Sequence, residues 1–194
     1  KPVLSTNFDA GIEWYFMPRG LLSATAYSMN MKDYVAYGVQ TQMLYSELTH
    51  QRESYQVTMP VNADAKVSGV EMAYSQPLGQ YFGFDANYTY ADGSSAFTWS
   101  DGSHNLLGTS KNTYNVGAYF ENARFGARVS YTARSAFLIG LSGASPYYQD
   151  KFGTLSASLS YKATDWLSFS LDALNLKKPT YKYYETVNIP HSFY

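Results

Sequence analysis

Large apolar side chains alternate with small polar ones through FGTLSASLSYKATDWLSFSLDALNL, from Phe152 to Leu176. Leu155, Ala157, Leu159 and Tyr161 share one side of an extended chain, while Thr154, Ser156, Ser158 and Ser160 share the other. After Lys-Ala-Thr-Asp-Trp the pattern resumes, with Leu167, Phe169, Leu171 and Ala173 opposite Ser168, Ser170 and Asp172, and a hairpin is predicted. The same period recurs upstream. Phe8, Ala10, Ile12, Trp14 and Phe16 oppose Asn7, Asp9, Gly11, Glu13 and Tyr15, and Met-Pro-Arg-Gly then turns the chain into Leu22, Ala24 and Ala26. Val70, Met72 and Tyr74 lead through Pro-Leu-Gly-Gln to Phe82, Phe84, Ala86, Tyr88 and Tyr90, with Gly69, Glu71, Asp85 and Asn87 on the other side. Roughly eight strands are expected, several near the length that a tilted membrane strand needs.

Asn112 to Leu138 forms a second predicted hairpin. Pairing Glu121 with Arg124 across Asn-Ala places Phe120 by Phe125, Ala118 by Ala127, Val116 by Val129 and Tyr114 by Tyr131. The opposite side then carries Asn115, Gly117, Tyr119 and Glu121 beside Gly126, Arg128, Ser130, Thr132 and Arg134. From Phe125 to Phe137 such a strand rises on the order of 40 Å, enough to cross an apolar band when tilted.

Connections are expected to alternate in length. Brief turns fall near Met17–Gly20, Pro77–Gln80, Asn122–Ala123 and Lys162–Trp166. Longer polar segments fall at about Val35–Tyr55, Asp92–Asn112 and Ile139–Lys151, and from Tyr181 onward. Segregation of short turns and long loops to opposite ends is the pattern of an outer-membrane barrel. A soluble sandwich would cover its outer face with Lys and Glu. Here only 15% of the 194 residues are charged and 18% are aromatic, against about 25% charged in an ordinary soluble domain. The two faces therefore suit two solvents: hydrocarbon on one side and a wet lumen on the other. A net charge of -1 without a long basic run removes nucleic acid as a partner. The absence of Cys excludes disulfides within the chain and cysteine-bound zinc. The opening Lys-Pro-Val-Leu carries neither initiator Met nor signal peptide, so a start that is processed, trimmed or internal to a longer chain is expected.

NFDAGIEWYF-MPRGLLSATAYSMNMKDYV, GVEMAYSQPL with FGFDANYTYADG, LLGTSKNTYNVGAYFE with FGARVSYTAR, and the hairpin beginning at Phe152 resemble the C-terminal barrel half of TonB-dependent outer-membrane receptors. The resemblance runs in order over nearly the full chain. It implies an all-β, antiparallel up-and-down transmembrane β-barrel, of which residues 1–194 are a fragment of a single barrel domain of about 22 strands. It also implies an N-terminal plug outside this chain, and import of a bulky, scarce nutrient, a carbohydrate or a ferric siderophore. The implied partners are outer-membrane lipid, the TonB complex through the absent N-terminal region, a small-molecule or oligosaccharide ligand, and other outer-membrane or surface proteins. Lys177-Lys178-Pro179 departs from the Thr-Asp that usually follows Asn-Leu in the family, and Thr186–Ser192 does not alternate, so the last strand is expected to be missing. A passive porin or a surface-adhesion barrel is the alternative from another class, and a ligand-binding soluble barrel a third.

No catalytic residues, cofactor or protein-bound metal are expected. Aromatics in the long segments, Tyr37, Tyr45, Trp99, Tyr147 and Tyr148, are the candidate ligand contacts; girdles and loops folded on one another equally account for them. Inward charges at Asp9, Glu13, Glu71, Asp85, Arg128, Arg134 and Asp172 would line the lumen, as ion pairs and solvated wall or as guides for a polar substrate. His50, His104 and His191 fall in outer segments and match no ligand spacing. Gly140-Leu-Ser142-Gly-Ala lacks the second glycine of a nucleophile elbow and reads as a flexible loop. The sequon Asn87-Tyr-Thr89 lies mid-strand, where it has no glycosylation role.

Overall fold

In the computed structural model, which describes residues 2–142 and 145–186, aromatic and β-branched residues at every second position hold the chain extended. The strands are β1 (Leu4–Met17), β2 (Gly20–Ser46), β3 (Gln51–Leu78), β4 (Phe82–Ser95), β5 (Asn112–Glu121), β6 (Phe125–Arg134), β7 (Phe137–Ser142), β8 (Ser145–Gln149), β9 (Phe152–Lys162), β10 (Ser168–Ala173) and β11 (Tyr183–Glu185). Eight of them form one antiparallel sheet in the order β1-β2-β3-β4-β5-β6-β9-β10, and β11-β8-β7 form a small second sheet. The large sheet is an open stretch of barrel wall with β1 and β10 at its edges.

The registers align like with like across the wall. Trp14, Leu22, Tyr74, Ala86, Val116, Tyr131 and Leu155 form one row; one residue earlier or later along each strand, Glu13, Ser23, Ala73, Asn87, Asn115, Thr132 and Thr154 form another on the opposite face. Protein does not cover the apolar face: Ile12 is 72% exposed and Leu171 63%. A sheet this greasy on an uncovered side is stable against hydrocarbon, not against water. Aromatic pairs mark its margins, Phe82 with Phe120 (5.0 Å) and Phe125 with Tyr161 (4.7 Å) near the short turns, and Tyr114 with Tyr131 (6.4 Å) towards the other end.

The short turns gather at one end. Arg19 (φ 66°) and Gly79 (φ 68°) supply the left-handed residue that closes the first two. The long connections leave from the opposite end, as the sequence suggests, but three particulars differ from expectation.

First, Val35–Tyr55 is not a loop. Asp33, at φ 54°, sits in a bulge, its carbonyl held by Asn62 Nδ2 at 2.8 Å; beyond it β2 and β3 stay paired from Tyr34–Ala63 to Ser46–Gln51. This two-stranded ribbon outruns β1, whose pairing ends at Lys32, and β4, whose pairing ends at Ala65. It projects on the order of 40 Å. Second, the β5–β6 register is two residues from the expected one: Glu121 pairs with Gly126, and Phe120 with Ala127. Asn122 Oδ1 accepts the amides of Arg124 (2.9 Å) and Phe125 (2.8 Å), so the turn is wider than Asn-Ala; the even shift leaves every side chain on its expected face. Third, β6 stops at Arg134, because the Ser135 amide bonds to the Asn112 carbonyl (2.8 Å) and the chain departs into β7. Its 10 residues still match a tilted membrane strand. Gly140–Ser142 thereby lies in β7 rather than in a flexible loop.

Adjacent residues of β6 provide a direct test of the two solvents. In the full-length protein folded in bilayers, Val129→Arg on the apolar face should cost about 2–4 kcal/mol, and Ser130→Arg on the polar face should cost far less. Denaturant titration in lipid vesicles reads both.

Candidate functional site

All seven predicted inward charges share the polar face of the wall. Asp85 on β4 and Arg128 on β6 approach to 3.7 Å across β5, where Gly117 offers no side chain to separate them. Ser75 Oγ donates to the same carboxylate at 2.9 Å, and the guanidinium of Arg128 lies 5.4 Å from the Tyr119 ring centre. Glu13 accepts the Tyr15 hydroxyl at 2.6 Å. Asp9, Glu71 and Asp172 stand on the same face without a salt bridge among the described residues. Between these charges the wall is mostly Ser, Thr, Asn and Gly, with the Tyr27 and Tyr119 rings lying over Gly69 and Gly83.

Arg134 closes this face at the loop end. Its Nε donates to Ser110 Oγ (2.8 Å), its Nη2 to the Gly108 carbonyl (3.1 Å), and its guanidinium lies over the Phe137 ring at 3.7 Å. Above it the connections fold into a cap. Trp99, Leu138 and Tyr148 form a buried cluster with Phe97, Leu107 and Leu141 packed against it. Trp99 Nε1 donates to the Asn105 carbonyl (2.8 Å), and the Phe97 and Trp99 rings meet edge to face at 4.9 Å. The Tyr148 hydroxyl joins Asn105 Nδ2 (3.0 Å), Ser103 Oγ (3.2 Å) and Asp101 Oδ2 (3.2 Å), and Thr186 Oγ1 donates to that Asp101 oxygen at 2.6 Å. Asp101 thus ties together the segment after β4, the β7–β8 hairpin and the segment around β11. Burial pushes the Asp101 carboxyl up, but the bonds from Thr186, Ser103 and Tyr148 outweigh it and hold the group below its usual range. Burial first, then the nearby Asp150 charge and Tyr148, raise the Tyr184 phenol.

The five candidate ligand aromatics are not brought together. Trp99 and Tyr148 are 4% and 7% exposed inside the cap, where neighbouring side chains occupy their faces. Tyr37 projects from the side of the β2–β3 ribbon away from Gly38, the residue on which Phe97 of the cap packs. Tyr45 lies at the ribbon tip with its hydroxyl 3.2 Å from His50 Nδ1. Tyr147 is part-buried and stacks on Tyr183 at 5.7 Å. Sequence reasoning passed over Phe137, Tyr181 and Tyr183, which join this region; the signal for the two tyrosines was the aromatic density of Tyr181–Tyr184 in a polar segment. His104 Nδ1 meets the Phe97 carbonyl at 3.2 Å, His191 lies outside the described residues, and no group of three or more His, Asp or Glu is placed to hold a metal among those described.

The family model for the "TonB dependent receptor-like, beta-barrel" domain matches residues 1–176. The chain belongs to the TonB-dependent receptor β-barrel family. It is therefore part of an integral outer-membrane barrel, with its apolar face towards lipid. Among solved structures, this receptor wall is similar to the copper transporter OprC (20% identity, TM-score 0.70), covering 94% of this chain and 27% of that one. The ferric-catecholate import receptor Fiu from K12 E. coli gives 17% identity and TM-score 0.65, covering 91% of this chain and 24% of Fiu. The siderophore receptor PirA from Acinetobacter baumannii gives 19% and 0.63, covering 91% of this chain and 28% of PirA. At these identities the likeness is one of fold, and the chain spans about a quarter of the length of the solved receptors. No curated protein matches the sequence.

The Asp101 tie predicts a pH-sensitive cap. A carboxyl held low in the folded state stabilises at neutral pH and loses that contribution as the pH falls from the unfolded value of about 3.8 through the lower folded one. Cleavage within residues 96–111 of the full-length receptor by an acid-active protease should rise below that pH, and Asp101→Asn should remove the dependence. Tyr148→Phe should weaken the cap by about 1–3 kcal/mol, read by amide exchange of the same segment.

Proposed function

We propose that residues 1–194 are a stretch of the barrel domain of an outer-membrane importer that takes up a bulky, scarce nutrient, a carbohydrate or a ferric siderophore, with energy delivered through TonB. The supporting observation is the lightly charged polar wall running up to a cap knit from three connections, in a chain of this receptor family. Such a wall gives a large polar cargo a hydrated path without trapping it, because Ser, Thr and Asn exchange hydrogen bonds readily with water and most of its charges stand apart. Chemistry on the cargo is no part of this role, and the receptor acts as a transporter rather than an enzyme. Its partners are lipid around the apolar face, TonB through a region outside these residues, the ligand, and other outer-membrane or surface proteins.

Uptake assays test the reading. A strain deleted for the full-length receptor should lose accumulation of its labelled nutrient, and a strain lacking TonB should lose it equally. Accumulation that depends on the receptor and persists without TonB would make the barrel a passive porin.

A further inference from the structure

The small sheet β11-β8-β7 has one face turned into the cap, carrying Leu138, Tyr148 and Pro146. A bulge between Leu138 and Gly140 keeps the alternation in step, so the other face carries Phe137, Gly140, Tyr147, Gln149, Tyr183 and Glu185. The registers arrange these in two rows, Tyr183–Gln149–Phe137 and Glu185–Tyr147–Gly140. Tyr147 and Tyr183 are stacked with their planes 18° apart, and a Cβ added at Gly140 would meet nothing within 4 Å, so the surface has aromatic walls and an open floor. The guanidinium of Arg134 over Phe137 joins this surface to the polar face of the barrel wall.

From this surface we infer a binding platform for a neutral oligosaccharide, which deepens the import reading above and rests on it. A pyranose ring has apolar C–H faces and a hydroxylated rim. The faces pack on aromatic rings, and the rim needs donors and acceptors together. Gln149 supplies both, Glu185 accepts from two adjacent hydroxyls, and each sits in a row with a tyrosine. From β11 to β7 the platform spans about 10 Å, room for about two sugar rings in line. Charge separates this cargo from an anionic iron chelate. The platform brings one carboxylate, Glu185, against one guanidinium, Arg134, whose Nε and Nη2 are already engaged with Ser110 and Gly108. Below it the polar face carries Asp9, Glu13, Glu71, Asp85, Glu121 and Asp172 against Arg128 and Arg134, with Lys162 at the turn end and Arg19 reaching the Tyr119 hydroxyl at 3.4 Å. A face whose acids slightly outnumber its cations, with Arg128 paired to Asp85, offers no cationic cluster to hold a multiply anionic ferric catecholate and leaves a neutral polyol unaffected.

The experiment is calorimetric titration of the full-length receptor in detergent with malto-, cello- and xylo-oligosaccharides and with a ferric tris-catecholate. At least one neutral oligosaccharide should bind. The double variant Tyr147→Ala, Tyr183→Ala should weaken it by about tenfold or more, and Glu185→Gln by a few-fold. The pair Tyr147→Phe, Tyr183→Phe keeps the rings and should retain most of the affinity, separating lost contact from lost folding. Binding of the catecholate, binding of none of these oligosaccharides, or sugar binding indifferent to the alanine pair would overturn the platform. TonB-dependent uptake of a ferric chelate by the same receptor would leave the import reading standing while this inference fell.

Discussion

A strand in hydrocarbon has no water to satisfy its amides and carbonyls, and each group left unpaired there costs several kcal/mol. From β2 to β9, every strand of the large sheet is therefore paired on both sides. That requirement, more than any side-chain contact, sets the architecture. It forces up-and-down topology through short turns at one end, it fixes registers so that like faces align, and it leaves β1 and β10 as the two open edges of the wall. The β2–β3 ribbon, with two free edges, begins only where both neighbouring strands have ended.

The same constraint explains where the protein core lies. Within the wall no second layer packs on the sheet, and its large apolar residues remain exposed for lipid. A core of the soluble kind appears only in the cap, around Trp99, Leu138 and Tyr148, where loops in water must bury apolar surface in one another to become ordered. Its polar groups are satisfied as such a core demands: no buried side-chain nitrogen or oxygen lacks a hydrogen bond among the described residues. Asp101 serves the cap as Asp85 serves the wall, as a carboxylate that holds neighbouring segments together through donors from several of them.

Legibility in the sequence followed the physics. Side-chain period survives wherever one face meets a different solvent from the other, and so the faces of β1, β4, β5, β6, β9 and β10 were readable, with all seven charges on one of them. The ribbon was not, since the bulge at Asp33 exchanges the faces of β2 midway and both faces beyond it meet water; a strand and a polar loop then look alike. Nor was the β5–β6 register, which rests on one side-chain oxygen of Asn122 accepting two amides. Trp99 and Tyr148 illustrate the limit for sites. An aromatic in a loop has the same sequence signature whether it waits for a ligand or locks two loops together, and only tertiary packing separates the two. The platform around Tyr147 and Tyr183 depends on β8 pairing with β11 across some thirty residues of intervening chain, a relation that carries no local signal.

The wall, the cap and the platform all presuppose that β6 divides lipid from a wet lumen residue by residue. Spin labels placed singly from Ala127 to Thr132 in the full-length receptor, reconstituted in bilayers, measure this directly through their collisions with oxygen, which concentrates in lipid, and with a water-soluble nickel chelate. Oxygen accessibility peaking at Ala127, Val129 and Tyr131, and nickel accessibility peaking at Arg128, Ser130 and Thr132, is the predicted result. Equal accessibility at all six positions, or the opposite phase, would contradict the account.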